Sequence, residues 1–121
     1  MSTTISGTNG VTFPDSTSMQ TGQQACKAWV NFNGTGTVAI RDGYNVSSIT
    51  DNSTGNYYVN FTSAMSDVNY VTNLSHGAYS SAAYRGWDII YNQETTRARV
   101  ETRNESGNEI DAPLVCVSIF R

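Results

Sequence analysis

Short runs of alternating apolar and polar residues, separated by turn-forming residues at close intervals, occupy the chain from residue 25 onward. The run 26–32 places Cys, Ala, Val and Phe at every second position, and the run 97–103 alternates charged residues with Ala, Val and Thr. A period of two is the pattern of a strand with one buried face, whereas a helix needs apolar residues every third or fourth position. This alternation restricts the chain to β structure.

The choice of apolar residues supports the same conclusion. Val occurs ten times and Ile seven times, whereas Leu occurs only twice. Asn, Ser, Thr and Gly together make up 51 of the 121 residues, which suits turns and a polar surface. β-branched and aromatic residues are enriched in strands, while a helical bundle would be rich in Leu, Ala, Glu and Lys.

The pattern predicts an all-β fold, a single antiparallel β-sandwich over residues 23–121 with an extended N-terminal arm over residues 1–22. We expect eight or nine short strands, and the pattern leaves open whether they follow a jelly-roll arrangement. Asp42-Gly43 predicts a hairpin turn. The run 114–120 is apolar on both faces, which predicts a central strand covered on both sides.

Charge and hydropathy argue against several classes of partner. The net charge is −3, the isoelectric point is near 4.8, and no cluster of Lys and Arg stands out, so we expect no nucleic-acid binding. No apolar run reaches the roughly 18 residues of a membrane span, so we expect no membrane insertion. The N-terminus lacks the basic and apolar regions of a signal peptide, and we expect no export signal.

The arm over residues 1–22 differs from the rest of the chain. It carries few apolar side chains among Ser, Thr, Gly and Asn, and shows neither helical nor strict alternating periodicity. We interpret it as an extended arm or short β-hook that docks on another protein. Ile5, Val11, Phe13 and Pro14 are the candidate assembly residues.

The two cysteines and the single histidine offer little chemistry. Cys26 and Cys116 either form a disulfide or are two small buried hydrophobic residues on neighbouring strands, and the second interpretation is favoured. No Cys/His spacing suits a metal, and no cofactor is expected. His76 lies in a loop of small residues and is interpreted as solvent-exposed, with no nucleophile elbow nearby. We therefore predict no catalytic residues and no enzyme activity.

Three arginines, Arg97, Arg99 and Arg103, fall on one face of a predicted strand. They suit an anion or polysaccharide contact, a subunit interface in which Arg pairs with Asp or Glu, or a solvated face balanced by Glu101. We favour the subunit interface, because the chain has few other charges.

Aromatic side chains divide into two groups. Tyr79 and Tyr84 lie in a loop of small residues with His76 and Arg85, and flat rings beside polar donors suit contact with a sugar. These four residues are the candidate glycan or receptor contacts, although the same composition also suits a plain flexible loop. The other group fits strand positions and is predicted in the core or at an interface: Trp29, Tyr57, Tyr70, Trp87 and Tyr91.

Five segments carry a family resemblance: ISGTNGVTFPD at 5–15, ACKAWVNFNG at 25–34, NVSSITD at 45–51, GNYYVNFT at 55–62 and VCVSIFR at 115–121. They resemble a module of tailed-bacteriophage virion proteins, cyanophages among them, which commonly forms the C-terminal knob domain of tail fibres. The resemblance covers most of the chain and includes the linker that often precedes the module. It implies a homotrimer at the virion surface, assembled in the host cytoplasm, and brings no catalytic motif.

Two roles follow from this resemblance. A chain without a heptad stalk favours a capsid decoration, or cement, protein whose arms clamp the major capsid protein. The family resemblance itself favours a receptor-binding knob among the tail proteins, with a host-surface glycan as ligand. We expect the decoration role first and the tail-fibre knob as the alternative.

Overall fold

The computed structural model describes residues 2–7, 10–19, 25–78 and 85–121. Within these ranges, eight strands form two antiparallel four-stranded sheets that enclose one core, and three short N-terminal strands form a smaller sheet. The predicted all-β sandwich is confirmed, with eight strands in its body. None of the described residues forms a helix of the length and apolarity that crossing a membrane requires.

The strands follow one another along the chain with short connections. The N-terminal strands are β1 (Thr4–Ser6), β2 (Gly10–Thr12) and β3 (Ser18–Met19). The body strands are β4 (Cys26–Asn33), β5 (Ala39–Tyr44), β6 (Val46–Ser53), β7 (Asn56–Phe61), β8 (Val71–Gly77), β9 (Gly86–Gln93), β10 (Arg97–Asn104) and β11 (Leu114–Phe120). One sheet has the order β5-β4-β11-β8 and is called the β11 sheet; the other has the order β6-β7-β10-β9 and is called the β10 sheet.

The core lies between the central strands of the two sheets. β4, β7, β10 and β11 each turn every second side chain inward, as the alternation over 26–32 predicted. β-branched, aromatic and small side chains pack well on facing pleated surfaces, and this explains the composition of the chain. The almost fully buried side chains of these strands are Ala28, Val30, Phe32, Tyr57, Val59, Phe61, Ala98, Val100, Val115, Val117 and Ile119.

Tyr57 connects the two sheets through both its ring and its hydroxyl group. The ring packs edge-on against Phe32 of the other sheet, with centroids 5.1 Å apart. The hydroxyl donates to Asp111 Oδ1 at 2.9 Å, and the same oxygen accepts the Gly55 backbone N–H at 2.7 Å. Burial, together with the Asp111 carboxylate, raises the pKa of Tyr57 well above its usual value. The phenol therefore stays protonated and remains a donor.

The predicted hairpin turn at Asp42-Gly43 is wrong. Both residues lie inside β5 and pair with β4, where Asp42 is opposite Asn31. The chain turns instead at Asn45, whose φ of 55° lets it pass from the β11 sheet to the β10 sheet in a single residue. The Asn45 side chain holds this corner, because its Nδ2 donates to the Lys27 carbonyl and its Oδ1 accepts the Ser63 N–H.

Glu101 lies on the outer face of the β10 sheet, as predicted, but it is not solvated. Its side chain is only 1% exposed. Arg103 Nε and Asn56 Nδ2 donate to its two carboxylate oxygens. A carboxylate removed from water is tolerated when its oxygens are paired and hydrogen-bonded in this way. Alternation indicates on which face of the sheet a side chain lies, but not whether neighbouring side chains cover it. The burial of Glu101 therefore does not follow from the sequence pattern.

The N-terminal segment forms a three-stranded antiparallel sheet. Ile5 pairs with Val11, and Val11 pairs with Met19, so the three apolar side chains form one row across one face of this sheet. Pro14 lies in the turn between β2 and β3, next to Phe13. Ile5 is 82% exposed within the chain. Val11 and Met19 are partly buried, so Ile5 is the residue of this row that is most open to a partner.

The buried tyrosines predict an alkaline limit to stability. Burial raises the pKa of Tyr70 to about 12, while in the unfolded chain tyrosine titrates near 10. Above about pH 10 the unfolded chain releases phenolic protons that the fold retains, so the free energy of unfolding falls as pH rises. We expect Tyr70→Phe to be about 1 kcal/mol less stable than wild type at pH 8 and the two to converge at pH 11.

Urea unfolding at both pH values measures this difference. Tyr44→Phe is the control, because Tyr44 is exposed and its hydroxyl has no hydrogen bond within the described residues. A stability difference between wild type and Tyr70→Phe that does not change with pH would contradict the prediction.

Candidate functional site

The outward side of β11 is open, contrary to the prediction that this strand is covered on both faces. Val115, Val117 and Ile119 are buried in the core, but Cys116 and Ser118 on the other side are only partly buried. β11 is the predicted central strand, flanked by β4 and β8. Because Cys116 and Ser118 are small, the outer face of β11 forms a depression and not a second core.

A groove of about 400 Å³ runs over β11 between its two neighbouring strands. In register, Ser118 lies between Trp29 on β4 and Asn73 on β8. One step along, Cys116 lies between Asn31 and Ser75 on the same two strands. Small side chains thus form the floor, while Trp29 and the two asparagines form the walls. Strands lie about 4.8 Å apart, which sets the walls about 10 Å apart.

The groove offers hydrogen-bonding groups that the protein does not use. Arg41 Nη1 donates to Asn31 Oδ1 at 3.1 Å, which leaves the Asn31 amide group free to donate. The side chains of Asn73, Ser75 and Ser118 form no hydrogen bonds within the described part of the chain. Trp29 is 39% exposed, so one side of its ring is accessible. The groove therefore combines an aromatic wall with free amide and hydroxyl groups.

The residues that line the groove carry no formal charge, and the Arg41 guanidinium lies beside them, hydrogen-bonded to Asn31. Apart from the Cys116 thiol, the lining residues have no ionisable side chain. Burial raises the pKa of Cys116, so the thiol is neutral at physiological pH. Cys26 and Cys116 are both free and lie on the adjacent strands β4 and β11, as the favoured interpretation predicted, but they are only partly buried. A neutral lining favours a neutral, polar ligand.

The predicted glycan contacts fall in different environments. His76 lies in β8 with its side chain 2% exposed, and its Nδ1 is 2.5 Å from Asp88 Oδ1 on β9. The interpretation of His76 as an exposed loop residue is therefore wrong, because the alternation of β8 continues through it and turns it inward. Arg85 is exposed. Tyr79 and Tyr84 lie outside the described residues, and their contact with a glycan stays a prediction.

Two of the three strand arginines have carboxylate partners within the chain. Arg97 Nε lies 3.0 Å from Glu94 Oε2, and Arg103 pairs with Glu101. Arg99 forms no salt bridge in the part of the chain that the structure describes. The assignment of these residues to a subunit interface stays a prediction.

Trp29 is the residue that sequence reasoning undervalued. The sequence predicts it in the core or at an interface, but it lies on the outer face of β4 and is 39% exposed, so it is not a core residue. Trp87 and Tyr91, predicted in the same group, are also exposed. No local pattern shows what lies beside Trp29. The missing signal was the pair of small outward residues Cys116 and Ser118, about 90 positions further along the chain. Tyr57 and Tyr70 are in the core, as predicted.

Comparisons with known proteins add no further assignment. No family model, curated protein or solved structure matches the chain. Among the described residues, no group of three or more His, Cys, Asp or Glu side chains could hold a metal ion. A larger groove of about 550 Å³ lies beside Tyr44 and Arg121, whereas the groove beside Trp29 combines an exposed indole ring with free amide and hydroxyl groups.

Proposed function

We propose that the chain is a non-enzymatic surface domain of a bacteriophage virion that binds a neutral host-surface glycan in the groove beside Trp29. The resemblance of five sequence segments to tail-fibre knob domains supports the virion location. The groove supports the glycan, and it favours the receptor-binding knob over capsid decoration because a cement protein has no need of a ligand groove. The observation that carries the proposal is the open, uncharged groove with an aromatic wall.

The groove matches the chemistry of a pyranose. One face of such a ring is lined by C–H groups, which pack against an indole ring and lose contact with water. Its edge carries hydroxyl groups, which hydrogen-bond to the free amides of Asn31 and Asn73 and to the Ser75 hydroxyl. The volume of about 400 Å³ falls within the range of small-ligand sites.

Replacing Trp29 tests this function directly. We expect Trp29→Ala to lose binding to an array of bacterial surface polysaccharides by at least about tenfold, because it removes the stacking surface. Trp29→Phe retains part of the binding, since a smaller aromatic ring remains. Binding constants for purified protein on the array measure the effect.

Trp87→Ala provides the matched control. Trp87 is the other tryptophan of the chain, 60% exposed, and it lies on β9 of the β10 sheet, away from the groove. We expect this variant to bind like wild type. An array on which Trp29→Ala binds unchanged, or on which Trp87→Ala loses as much, would overturn the proposal.

We propose further that the domain works as a homotrimer, the state that the family resemblance implies. An exposed apolar side chain supports it, because Ile90 on the edge strand β9 remains accessible in the single chain. Light scattering of the purified chain at micromolar concentration is expected to give three times the monomer mass of 13.2 kDa. A monomer mass would contradict this state.

Capsid decoration is the second candidate function, and the N-terminal sheet supports it. The row formed by Ile5, Val11 and Met19 is an apolar surface on a sheet too small to bury it. In a decoration protein this row would dock on the major capsid protein. The same row would attach a knob to other tail proteins.

Serine substitutions in this row test how the domain is attached. We expect the double variant Ile5→Ser, Val11→Ser to fold but to be absent from purified virions, because its apolar contact with the partner is lost. Immunoblots of separated heads and tails measure incorporation. Wild-type protein found in many copies on heads supports decoration, and protein confined to tails supports the knob. Normal incorporation of the double variant would contradict docking through this row.

A further inference from the structure

A second feature, on the opposite sheet from the groove, is an arginine without a carboxylate partner. Arg99 lies on the outer face of β10 between Arg97 and Arg103, whose charges are matched by Glu94 and Glu101. Arg99 forms no salt bridge with any residue in the described ranges. Arg103 also lies 3.8 Å from Glu109, so Arg99 is the arginine of this strand that has no carboxylate partner among the described residues.

Buried polar groups hold Arg99 in place. Its Nε donates to Asn56 Oδ1 at 3.1 Å, and Asn56 is only 2% exposed. Asn56 Nδ2 in turn donates to Glu101 Oε2 at 3.3 Å, and the Glu101 side chain is 1% exposed. Because a carboxylate only accepts hydrogen bonds, Glu101 fixes which side of the Asn56 amide faces Arg99. The buried hydrogen bonds from Arg99 to Asn56 and from Asn56 to Glu101 thus fix the position of the Arg99 guanidinium.

The Tyr91 ring completes the support of Arg99. The guanidinium carbon lies 4.7 Å from the ring centroid, a cation–π distance. With Nε occupied by Asn56, the two terminal nitrogens of Arg99 have no hydrogen-bond partner among the described residues. A guanidinium held on its face and at Nε presents these nitrogens to a ligand with little loss of side-chain entropy.

We infer that Arg99 binds the carboxylate of an acidic sugar. A planar carboxylate accepts two parallel N–H groups from a guanidinium, and the two terminal nitrogens of Arg99, unpaired within the described ranges, are free to donate to it. The choice of a sugar as the carrier of the carboxylate rests on the proposed function. The carboxylate site itself rests only on the geometry around Arg99. The domain would then recognise neutral sugars on the β11 sheet and uronate residues on the β10 sheet.

Calorimetric titration of the full chain with trigalacturonic acid tests the inference. We expect Arg99→Gln to weaken binding by at least about tenfold, because it removes both the charge and the paired donors. Arg99→Lys keeps the charge and is expected to bind only weakly. Arg97→Gln is the matched control, since it removes a positive charge from the same strand and face, and it is expected to change binding by no more than about twofold.

Four results would overturn the inference. The first is equal binding of the neutral galactose trisaccharide, and the second is inorganic phosphate binding as tightly as the uronate. The third is an equal loss in Arg97→Gln, which indicates a general effect of charge. Unchanged binding by Arg99→Lys would also contradict paired donation, and this variant covers the case in which Arg99→Gln does not fold. Trp29→Ala is expected to bind trigalacturonic acid normally, so failure of the neutral-glycan function is seen separately.

Discussion

Burial of alternate side chains from β4, β7, β10 and β11 is the constraint on which the rest of this structure depends. It fixes the register of both sheets, because a slip of one residue would turn every buried side chain outward. Tyr57 reinforces that register by joining the sheets through its ring and by donating its hydroxyl to Asp111. Because side chains alternate between the two faces of a sheet, fixing the register of the inward residues also fixes which outward residues are neighbours. Trp29, Ser118 and Asn73 necessarily form one row.

The two outer faces follow from this constraint but differ in chemistry. On the β11 sheet the central strand carries small outward residues, and the neighbouring strands stand above it as the walls of an uncharged groove. On the β10 sheet, strand β10 carries three outward arginines, and a buried carboxylate lies among them. Glu101 supplies it, at the cost of removing a charge from water, and binds both Arg103 and Asn56. One domain thus presents two outer faces of different chemistry, one with an aromatic groove and one with a row of arginines.

Much of the fold could be predicted from local pattern. Alternation identified the strands and the inward residues, because the period of two is a property of each strand alone. The corner at Asn45 could not be identified, since a turn signal at Asp42-Gly43 was overridden by pairing with β4. The groove beside Trp29 and the burial of Glu101 were also missed. Both depend on residues from distant strands meeting in register, which no local pattern reports.

The position of bound sugar relative to the two tryptophans tests the central claim most directly. The chain contains two tryptophans, Trp29 on the β11 sheet and Trp87 on the β10 sheet, so their indole N–H signals report separately on the two faces. We expect titration with a neutral host-surface oligosaccharide to shift the Trp29 indole signal in a nitrogen–proton NMR spectrum and to leave the Trp87 signal in place. A shift confined to Trp87, or no shift of either signal at saturating sugar, would contradict glycan binding in the groove.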